Sequence, residues 1–512
     1  MAVALHVLVL LLLWTQAMAA STFRFANMFG DHMVLQRAPR SANIWGYVGV
    51  TSGGCDQISV VFNGRTATAK LIQDNSTMCR WVVSLPPTSA IGPFNITAIS
   101  KISGSISLSD VLFGDVYICS GQSNMQFTVS EVFNASEEIA MAANYPHIRL
   151  FTASLQSSST PVLELLQVEQ QWSVASPASV GGSDWGYFSA TCWFFGRNLY
   201  DQLQYPIGLI DTDWGGTRVE AWSSPDALAK CNASLNSESF ISKMEGPDPN
   251  TATVLWNAMI YPFLNVTIFG AIWYQGEANA GYTNYNCTFP AMIDDWRAKW
   301  YTSSYGNTDP MFPFGFVQLS ADGTSNVTVG GFPTIRWAQT ANYGYVPNPR
   351  MQNVFMAVSM DLGDPTSPYD SIHPRDKQDV GARLALAARG VAYKETDVYF
   401  TGPIAIGATL IGLNPVTVVI QFTSVGPSGL QLLYPYGFEV QCSGSTSLLE
   451  GTAIKVDGDT AVVLFPSCPG GVTPSAIFYC WRTDPCSFKM CPIYSEQLPS
   501  PPFYLTISAG MD

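Results

Sequence analysis

The middle of the chain alternates short apolar runs with segments of helical spacing, and this alternation restricts the possible folds more than any other feature. The apolar runs precede Gly-rich turns and lie at residues 116–119, 207–210, 269–274, 314–319 and 354–358. Residues 289–300 and 377–392 have the spacing of amphipathic helices. Mostly apolar strands that alternate with helices form parallel sheets covered on both faces. We therefore predict an α/β fold with reactive groups beyond the carboxyl ends of its strands.

The two ends of the chain have a different texture. Residues 23–110 and those after 398 contain short alternating or β-branched runs separated by Gly, Pro and Asn, which is typical of β-sandwiches. The 512 residues are about three times the roughly 150 of a typical domain. We predict four segments: a signal peptide (1–20), an N-terminal β-sandwich domain (21–110), an α/β domain (111–397) and a C-terminal β domain with a Cys-rich end (398–512).

The first twenty residues have the features of a secretory signal peptide. An apolar run at residues 7–14 precedes Ala17-Met18-Ala19, a small-residue cleavage site. The run is too short to span a bilayer, and later apolar runs are interrupted by Pro, Gly or polar residues. The mature protein is therefore expected in the secretory pathway, lysosomal or secreted, without a membrane span.

The sequons and the number of cysteines are also typical of a protein of the secretory pathway. Seven Asn-x-Ser/Thr sequons predict N-glycosylation at Asn75, Asn95, Asn134, Asn232, Asn265, Asn286 and Asn326. Eleven Cys are more than a cytosolic chain usually contains, and the odd number leaves at least one unpaired within a monomer.

The positions of the cysteines suggest how they pair. The first β domain contains only Cys55 and Cys79, so these two are predicted to form a disulfide. Five Cys lie in the last domain, and pairing within it leaves one over. Cys119 ends a predicted central strand and is expected to be a buried, unreactive thiol.

Charge and histidine content exclude two kinds of ligand. The 24 Lys and Arg are outnumbered by 38 Asp and Glu, the net charge is -14, and no basic run occurs, so nucleic acid is not an expected partner. The four His include no HExxH or other close pair, so neither a metal site nor a cofactor is predicted.

One serine follows the first predicted parallel strand. Residues 119–125 read CSGQSNM, so the strand runs through a Gly turn into a predicted helix that begins near Ser123. This resembles a nucleophile elbow, although it lacks the GxSxG pattern. The alternative is an ordinary helix N-cap serine.

A nucleophilic serine needs a base, and His373 has the most suitable context. It lies on a loop after the last predicted strand, and Asp370 precedes it as Asp-x-x-His. Such a carboxylate can orient the imidazole while the other ring nitrogen faces the serine. The alternative is a structural His that caps the following helix.

Two further strand ends supply hydrogen-bond donors for an oxyanion. Residues 213–217 read DWGGT, where two glycines allow a backbone N–H to approach a substrate closely. Residues 273–277 read WYQGE, where the Gln275 amide is a side-chain donor. Glu277 also permits a glycosidase interpretation with Asp370 or Asp295 as the second carboxylate, which leaves the serine and histidine unused.

Taken together, these motifs resemble one family. GQSNM, WGGT, WYQGEAN and SIHPRDK occur in the order found in SGNH hydrolases of the sialate O-acetylesterase family, and residues 25–37 also resemble that family's N-terminal segment. The resemblance runs from about residue 23 to 389 and continues more weakly to the Cys-rich end. It implies a flavodoxin-like hydrolase domain at 111–397, with Ser123 as nucleophile and His373 as base.

The resemblance also implies roles for other residues. Gly216 and Gln275 would stabilise the oxyanion beside the Ser123 N–H. The residue that orients His373 stays open, because Asp370, Asp364, Asp361 or a backbone carbonyl could do so.

The expected activity is hydrolysis of O-acetyl esters of sialic acid, free or on glycoconjugates. The alternatives are an acetylxylan-type esterase and an inactive glycan-binding glycoprotein. Because sialic acid carries a carboxylate, Arg336, Arg375 and Arg218 are predicted to bind substrate. The preferred ester position and the oligomeric state do not follow from the sequence.

Overall fold

The computed structural model describes residues 23–232, 247–282, 284–323 and 331–509. The predicted signal peptide and the Asn326 sequon lie outside these residues. No helix within the described ranges is long and apolar enough to cross a membrane.

The N-terminal region consists of β-strands in two sheets. Its strands are β1 (Arg24–Phe25), β2 (Val34–Gln36), β3 (Asn43–Thr51), β4 (Gly54–Cys55), β5 (Ile58–Phe62), β6 (Arg65–Thr68), β7 (Lys70–Gln73), β8 (Met78–Ser84) and β9 (Phe94–Ser100). One sheet has the order β1-β3-β8-β7 with β4 beside β3, and the other joins β6, β5 and β9. In β5 the alternate residues Ile58, Val60 and Phe62 are buried, as expected for a strand with one face on the core.

The next strand, β10 (Gly104–Gly121), belongs to two parts of the fold. Its first half pairs antiparallel with β9, and its second half lies in the central parallel sheet. The register shifts between Leu108 and Val111, and Asp110 between them has a φ of 52°. The boundary predicted at residue 110 thus falls inside one continuous strand, at its irregularity.

The central region is a parallel sheet with one antiparallel edge strand. After β10 its strands are β11 (Ile148–Ala153), β12 (Val168–Val174), β13 (Ile207–Asp213), β14 (Gly270–Tyr274), β15 (Phe314–Gln318) and β16 (Val354–Val358). Their order is β12-β11-β13-β10-β14-β15-β16, and β12 is the antiparallel strand. The α-helices are α1 (Ser123–Gln126), α2 (Ala135–Met141), α3 (Pro177–Val180), α4 (Ala190–Leu203), α5 (Pro225–Ala229), α6 (Tyr285–Ser303), α7 (Gly331–Ala338) and α8 (Lys377–Val391).

Helices cover both faces of this sheet. Successive residues of a strand point to opposite faces. Tyr117 of β10 contacts Phe195 of α4. Ser120 of β10 points to the face opposite Tyr117, and so does Trp273, its partner on β14. Trp273 contacts Phe289 and Trp296 of α6. The layers therefore bury the apolar runs of the sequence from both sides.

The order of the strands brings three sequence motifs together. Strands β13 and β14 flank β10, and Gly121 at its end is in register with Asp213 and Tyr274. Gly121 has a φ of 149°, and a Cβ there would lie 2.2 Å from the carbonyl oxygen of Tyr274, so only glycine fits. The motifs that follow β10, β13 and β14 therefore meet at one edge of the sheet.

The C-terminal region is a closed barrel, so the prediction of a sandwich-like domain at this end of the chain was wrong. Its strands are β17 (Ile404–Leu413), β18 (Val416–Thr423), β19 (Gln431–Leu432), β20 (Phe438–Cys442), β21 (Leu448–Asp457), β22 (Thr460–Phe465), β23 (Pro474–Tyr479), β24 (Ile493–Ser495), β25 (Leu498–Pro499) and β26 (Phe503–Ala509). Seven of them form a closed barrel in the order β17-β18-β22-β21-β20-β23-β26. Parallel pairing of β17 with β26 closes it, a contact between distant segments that alternation alone does not reveal.

The disulfides agree with the sequence predictions except at Cys119. The bonds join Cys55–Cys79, Cys119–Cys192, Cys231–Cys287, Cys442–Cys468 and Cys486–Cys491. The first bond was predicted, and the last domain retains one buried free thiol, Cys480. The prediction of a free thiol at Cys119 was wrong, because α4 brings Cys192 against the end of β10.

Two buried carboxyl groups at the end of β13 make the stability of the fold depend on pH. Asp211 and Asp213 are fully buried, and the Ser189 N–H donates to Asp211. Burial raises the pKa of Asp211 to about 7, and burial together with the neighbouring Asp211 raises the pKa of Asp213 well above its usual value. The folded state thus holds protons that the unfolded chain releases above about pH 4.

The contribution of these two groups to stability is therefore complete below the ordinary carboxyl pKa. It is lost as pH rises through their raised pKa values in the folded state. We expect Asp213→Asn to raise the melting temperature at pH 8 and to change it little at pH 4.5. Asp457→Asn, at an exposed carboxylate beside Lys455, is the control and should have no such pH dependence. An equal effect of Asp213→Asn at both pH values would contradict the prediction.

Candidate active site

Ser123 begins helix α1, immediately after the turn that ends β10. Its Oγ lies 2.8 Å from Nε2 of His373, although 250 residues separate the two in the chain. Gly215 packs against Ser123: a Cβ added at Gly215 would lie only 3.3 Å from the Ser123 Cβ. The structure thus brings together the serine and the histidine that the sequence singled out.

The surroundings of His373 define its tautomer. Its Nδ1 lies 2.5 Å from the carbonyl oxygen of Tyr369. A carbonyl only accepts hydrogen bonds, so Nδ1 has the proton and Nε2 is left free to accept one from Ser123. The ring also packs against Trp185 and Phe127, at centroid distances of 5.1 and 6.5 Å.

The same surroundings suit His373 to act as a base. Burial lowers the pKa of His373, and nearby Lys377 lowers it further, against the opposing effect of the Tyr369 hydrogen bond. The imidazole is therefore neutral over a wider range below pH 7 than an exposed histidine would be.

The carboxylates predicted to orient His373 have other positions. Asp370 is exposed with a φ of 71°, and its backbone carbonyl accepts from the His373 N–H. Asp364 pairs with Arg375, and Asp361 pairs with Arg383. The Tyr369 carbonyl occupies the place expected for a carboxylate, because the loop turns tightly enough for its own backbone to reach the ring.

In the described part of the chain, the backbone N–H groups near Ser123 are free to bind an oxyanion, whereas the side-chain amide of Gln275 is not. Among the described residues, neither the N–H of Ser123 nor that of Gly216 donates to a protein acceptor. The Gln275 amide is fully buried and donates to the Thr217 carbonyl and to Asn279. Both of its N–H bonds are thus used inside the protein, which corrects the prediction that Gln275 binds an oxyanion.

The three arginines predicted to bind substrate also differ. Arg336 is completely buried and donates only to backbone carbonyls, so it does not face a substrate. Arg375 forms a two-pronged ion pair with Asp364. Arg218 lies two residues after Gly216, with its guanidinium 4.3 Å from the centre of the Tyr282 ring.

The alternative glycosidase pair is not assembled. Glu277 is partly exposed as a residue, but its carboxyl Oε2 is buried and its Oε1 accepts a hydrogen bond from Asn124. Asp295 accepts from Ser224 and lies 3.2 Å from Lys299, whereas Asp370 is exposed. These carboxyl groups have separate partners instead of facing one another across a site. Within the described ranges, no group of three His, Cys, Asp or Glu could hold a metal ion.

Several residues of the site had no assigned role in the sequence. Tyr369 acts through its backbone and has no sequence signature. Asn124 and Lys377 both contact the His373 loop, and they lie inside the GQSNM and SIHPRDK motifs, which could have pointed to them. Trp185, which has a φ of 59°, comes from a loop far from either motif.

Two family models match the chain. One, described as carbohydrate esterase, sialic acid-specific acetylesterase, matches residues 113–389. The other, the sialate O-acetylesterase C-terminal domain, matches residues 411–507. The first covers the parallel sheet with the Ser123–His373 contact, and the second covers most of the barrel. The chain is thus an esterase of the carbohydrate esterase class.

Whole-chain relatives identify the family more narrowly. Sialate O-acetylesterases from Pongo abelii and Homo sapiens are both 42% identical over 507 residues, covering 97% of this chain and 95% of theirs. The crystal structure of a carbohydrate acetylesterase from Xanthomonas citri has 29% identity and a TM-score of 0.76, covering 94% of this chain and 99% of that one. The chain belongs to the sialic acid-specific acetylesterase family.

Proposed function

We propose that the protein hydrolyses O-acetyl esters of sialic acids to free sialate and acetate, with Ser123 as nucleophile and His373 as base. The 2.8 Å contact between Ser123 and His373 is the observation that supports this most directly. A serine after the central strand of a parallel sheet and a histidine after the last strand also support assignment to the SGNH hydrolases.

The proposed reaction proceeds through an acetyl-enzyme. His373 Nε2 takes the Ser123 proton as Oγ attacks the acetyl carbonyl, and the imidazolium then protonates the departing sugar oxygen. Water, deprotonated by His373, attacks the acetyl-enzyme, and the imidazolium returns the proton to Ser123 Oγ as the acyl bond to Oγ breaks and acetate leaves. The Tyr369 carbonyl holds the Nδ1 proton throughout and favours the imidazolium electrostatically.

In this mechanism the oxyanion of each tetrahedral intermediate lies against the backbone N–H groups of Ser123 and Gly216. Gly216 has a φ of 72°, a conformation that glycine adopts without strain. The Asn250 amide donates to its carbonyl at 3.0 Å and so steadies the turn. Fixed backbone donors of this kind require little reorganisation as charge develops.

Arg218 is the proposed binding residue for the sialate carboxylate. Unlike Arg375, its side chain has no carboxylate partner among the described residues, and unlike Arg336 it is only partly buried. Stacking on Tyr282 holds the guanidinium near the Gly216 turn and leaves its N–H edge available for a bidentate contact.

We expect Arg218→Gln to raise KM for a free O-acetyl sialate by about 10- to 100-fold, because a charge-assisted contact is lost. KM for a neutral aryl acetate should not change. Arg37→Gln is the matched control, since Arg37 stacks on Tyr205 at 4.0 Å near the amino end of the sheet. An equal rise in KM for both esters would contradict the assignment of Arg218.

The substrate class is tested by comparing kcat/KM for 9-O-acetyl sialic acid, acetylated xylan and an aryl acetate. Sialate esterase activity requires kcat/KM for 9-O-acetyl sialic acid to be clearly higher than kcat/KM for acetylated xylan. Preference for acetylated xylan would favour a polysaccharide deacetylase, and no turnover of any ester would favour a glycan-binding glycoprotein.

The proposed location is the secretory pathway, lysosomal or secreted. Five disulfides support an oxidising compartment. Four sequon asparagines are exposed, namely Asn75, Asn95, Asn134 and Asn232, whereas Asn265 and Asn286 are partly buried. We propose the four exposed positions as the first to examine for glycans.

A further inference from the structure

Lys377 is a buried cation beside the proposed catalytic pair. Its side chain, at the start of α8, is completely buried and donates to Asn124 Oδ1 at 2.9 Å and to the carbonyl of Pro374. The rings of Phe127 and Tyr274 lie 4.3 and 5.7 Å from its Nζ. Burial of an ammonium group is costly unless hydrogen bonds and opposite charge compensate it.

Asn124 connects this cation to a buried carboxyl group. Its amide nitrogen donates to Glu277 Oε1 at 2.7 Å, while its oxygen accepts from Lys377. The amide dipole is thus oriented with its oxygen toward the cation and its nitrogen toward the carboxyl group. Asn124 directly follows Ser123 in the chain, so this network begins at the residue next to the nucleophile.

The same network holds both sides of His373. The Asn124 amide nitrogen also donates to the carbonyl of Ile372 at 2.8 Å, and Lys377 donates to the carbonyl of Pro374. These are the residues immediately before and after His373. No carboxylate among the described residues holds the imidazole, so its place relative to Ser123 depends on the backbone of this loop.

We propose that Lys377, together with Asn124, is a positioning residue that keeps the His373 loop in register with Ser123. This inference rests on the proposed function of Ser123 and His373. Displacement of a reacting group by about 1 Å can cost about 100-fold in rate. A buried ammonium is suited to this task because both of its hydrogen bonds are stronger in the low dielectric of the protein interior than at the surface.

Lys377 also affects the protonation of His373. Burial and Lys377 lower the pKa of His373, whereas the carboxylates of Asp370 and Asp322 oppose the effect. Burial lowers the pKa of Lys377 to about 7 against the attraction of the carboxyl groups that face it, which are Glu277, Glu131, Asp376 and Asp364. Loss of the ammonium should therefore raise the pKa of His373.

The test measures kcat, KM and the pH dependence of kcat/KM for Lys377→Met on an aryl acetate. We expect kcat to fall about 100-fold with KM unchanged, and the acid limb of the profile to move to higher pH. Lys299→Met is the matched control, because this partly buried lysine pairs with Asp226 and Asp295 away from the site. It should change stability without changing kcat or the profile.

Asn124→Ala provides a second variant and does not depend on the folding of Lys377→Met. It should lower kcat by a similar factor, and the double variant should be no slower than either single variant, because both remove one unit. A kcat within threefold of wild type in a folded single variant, with an unmoved pH profile, overturns the inference. Activity retained by Ser123→Ala would instead overturn the proposed function itself.

Discussion

Replacing Ser123 with Ala, or His373 with Ala, is expected to lower kcat on an acetyl ester by about 10³- to 10⁶-fold. In the proposed mechanism the serine supplies the nucleophilic oxygen and the histidine removes its proton, and the Ser123 Oγ and His373 Nε2 atoms lie within hydrogen-bonding distance. Because they act as one unit, the double variant should be no slower than either single variant. Steady-state kinetics with an aryl acetate measure all three.

Ser120→Ala is the matched control for this prediction. Ser120 lies three residues earlier, in strand β10, and its buried hydroxyl has no hydrogen-bond partner among the described residues. Its removal should leave kcat nearly unchanged. Near-normal turnover by folded Ser123→Ala would mean that another residue performs the chemistry.

Arg336→Met is expected to lower the free energy of unfolding by about 3–5 kcal/mol, because it deprives four carbonyl groups, three of them on buried residues, of their donor. The guanidinium donates to Leu319 and Ser320, which follow β15, and to Arg482 and Thr483 of the C-terminal region, at 2.6–2.9 Å. It therefore joins the parallel sheet to the region beside the barrel.

The control is Arg350→Met, which removes a surface ion pair with Asp294 and should cost at most about 1 kcal/mol. Thermal and urea unfolding compare the two variants with wild type, and KM is measured on the folded fraction of each. A raised KM for sialate esters with unchanged unfolding would restore the role in substrate binding that the sequence suggested for Arg336.

The sequence by itself determined the main features of the site. Apolar runs that alternate with helical segments must be buried on both faces, so they specify a parallel sheet whose carboxyl edge collects the following loops. Ser123 and His373 each follow a strand of that sheet, so local pattern singled out two residues that the structure places 2.8 Å apart. Gly216 also follows a strand, but its proposed role came from the family resemblance. The Cys55–Cys79 bond was equally accessible, because its domain contains no other cysteine.

Other features depended on contacts between distant segments and on the backbone. The carbonyl that orients His373 belongs to Tyr369, and a backbone carbonyl is the same in every residue type. Gln275 and Arg336 have the chemistry of substrate-binding residues, but packing turned their donors inward, toward Thr217 and Asn279 or toward four carbonyls.

The Cys119–Cys192 bond and the closure of the barrel have the same origin, since each joins segments that are far apart in the chain. The residue type determines which hydrogen bonds a side chain is able to make. Only the tertiary structure decided which partners were within reach, because buried polar groups must be satisfied by whatever the fold places beside them.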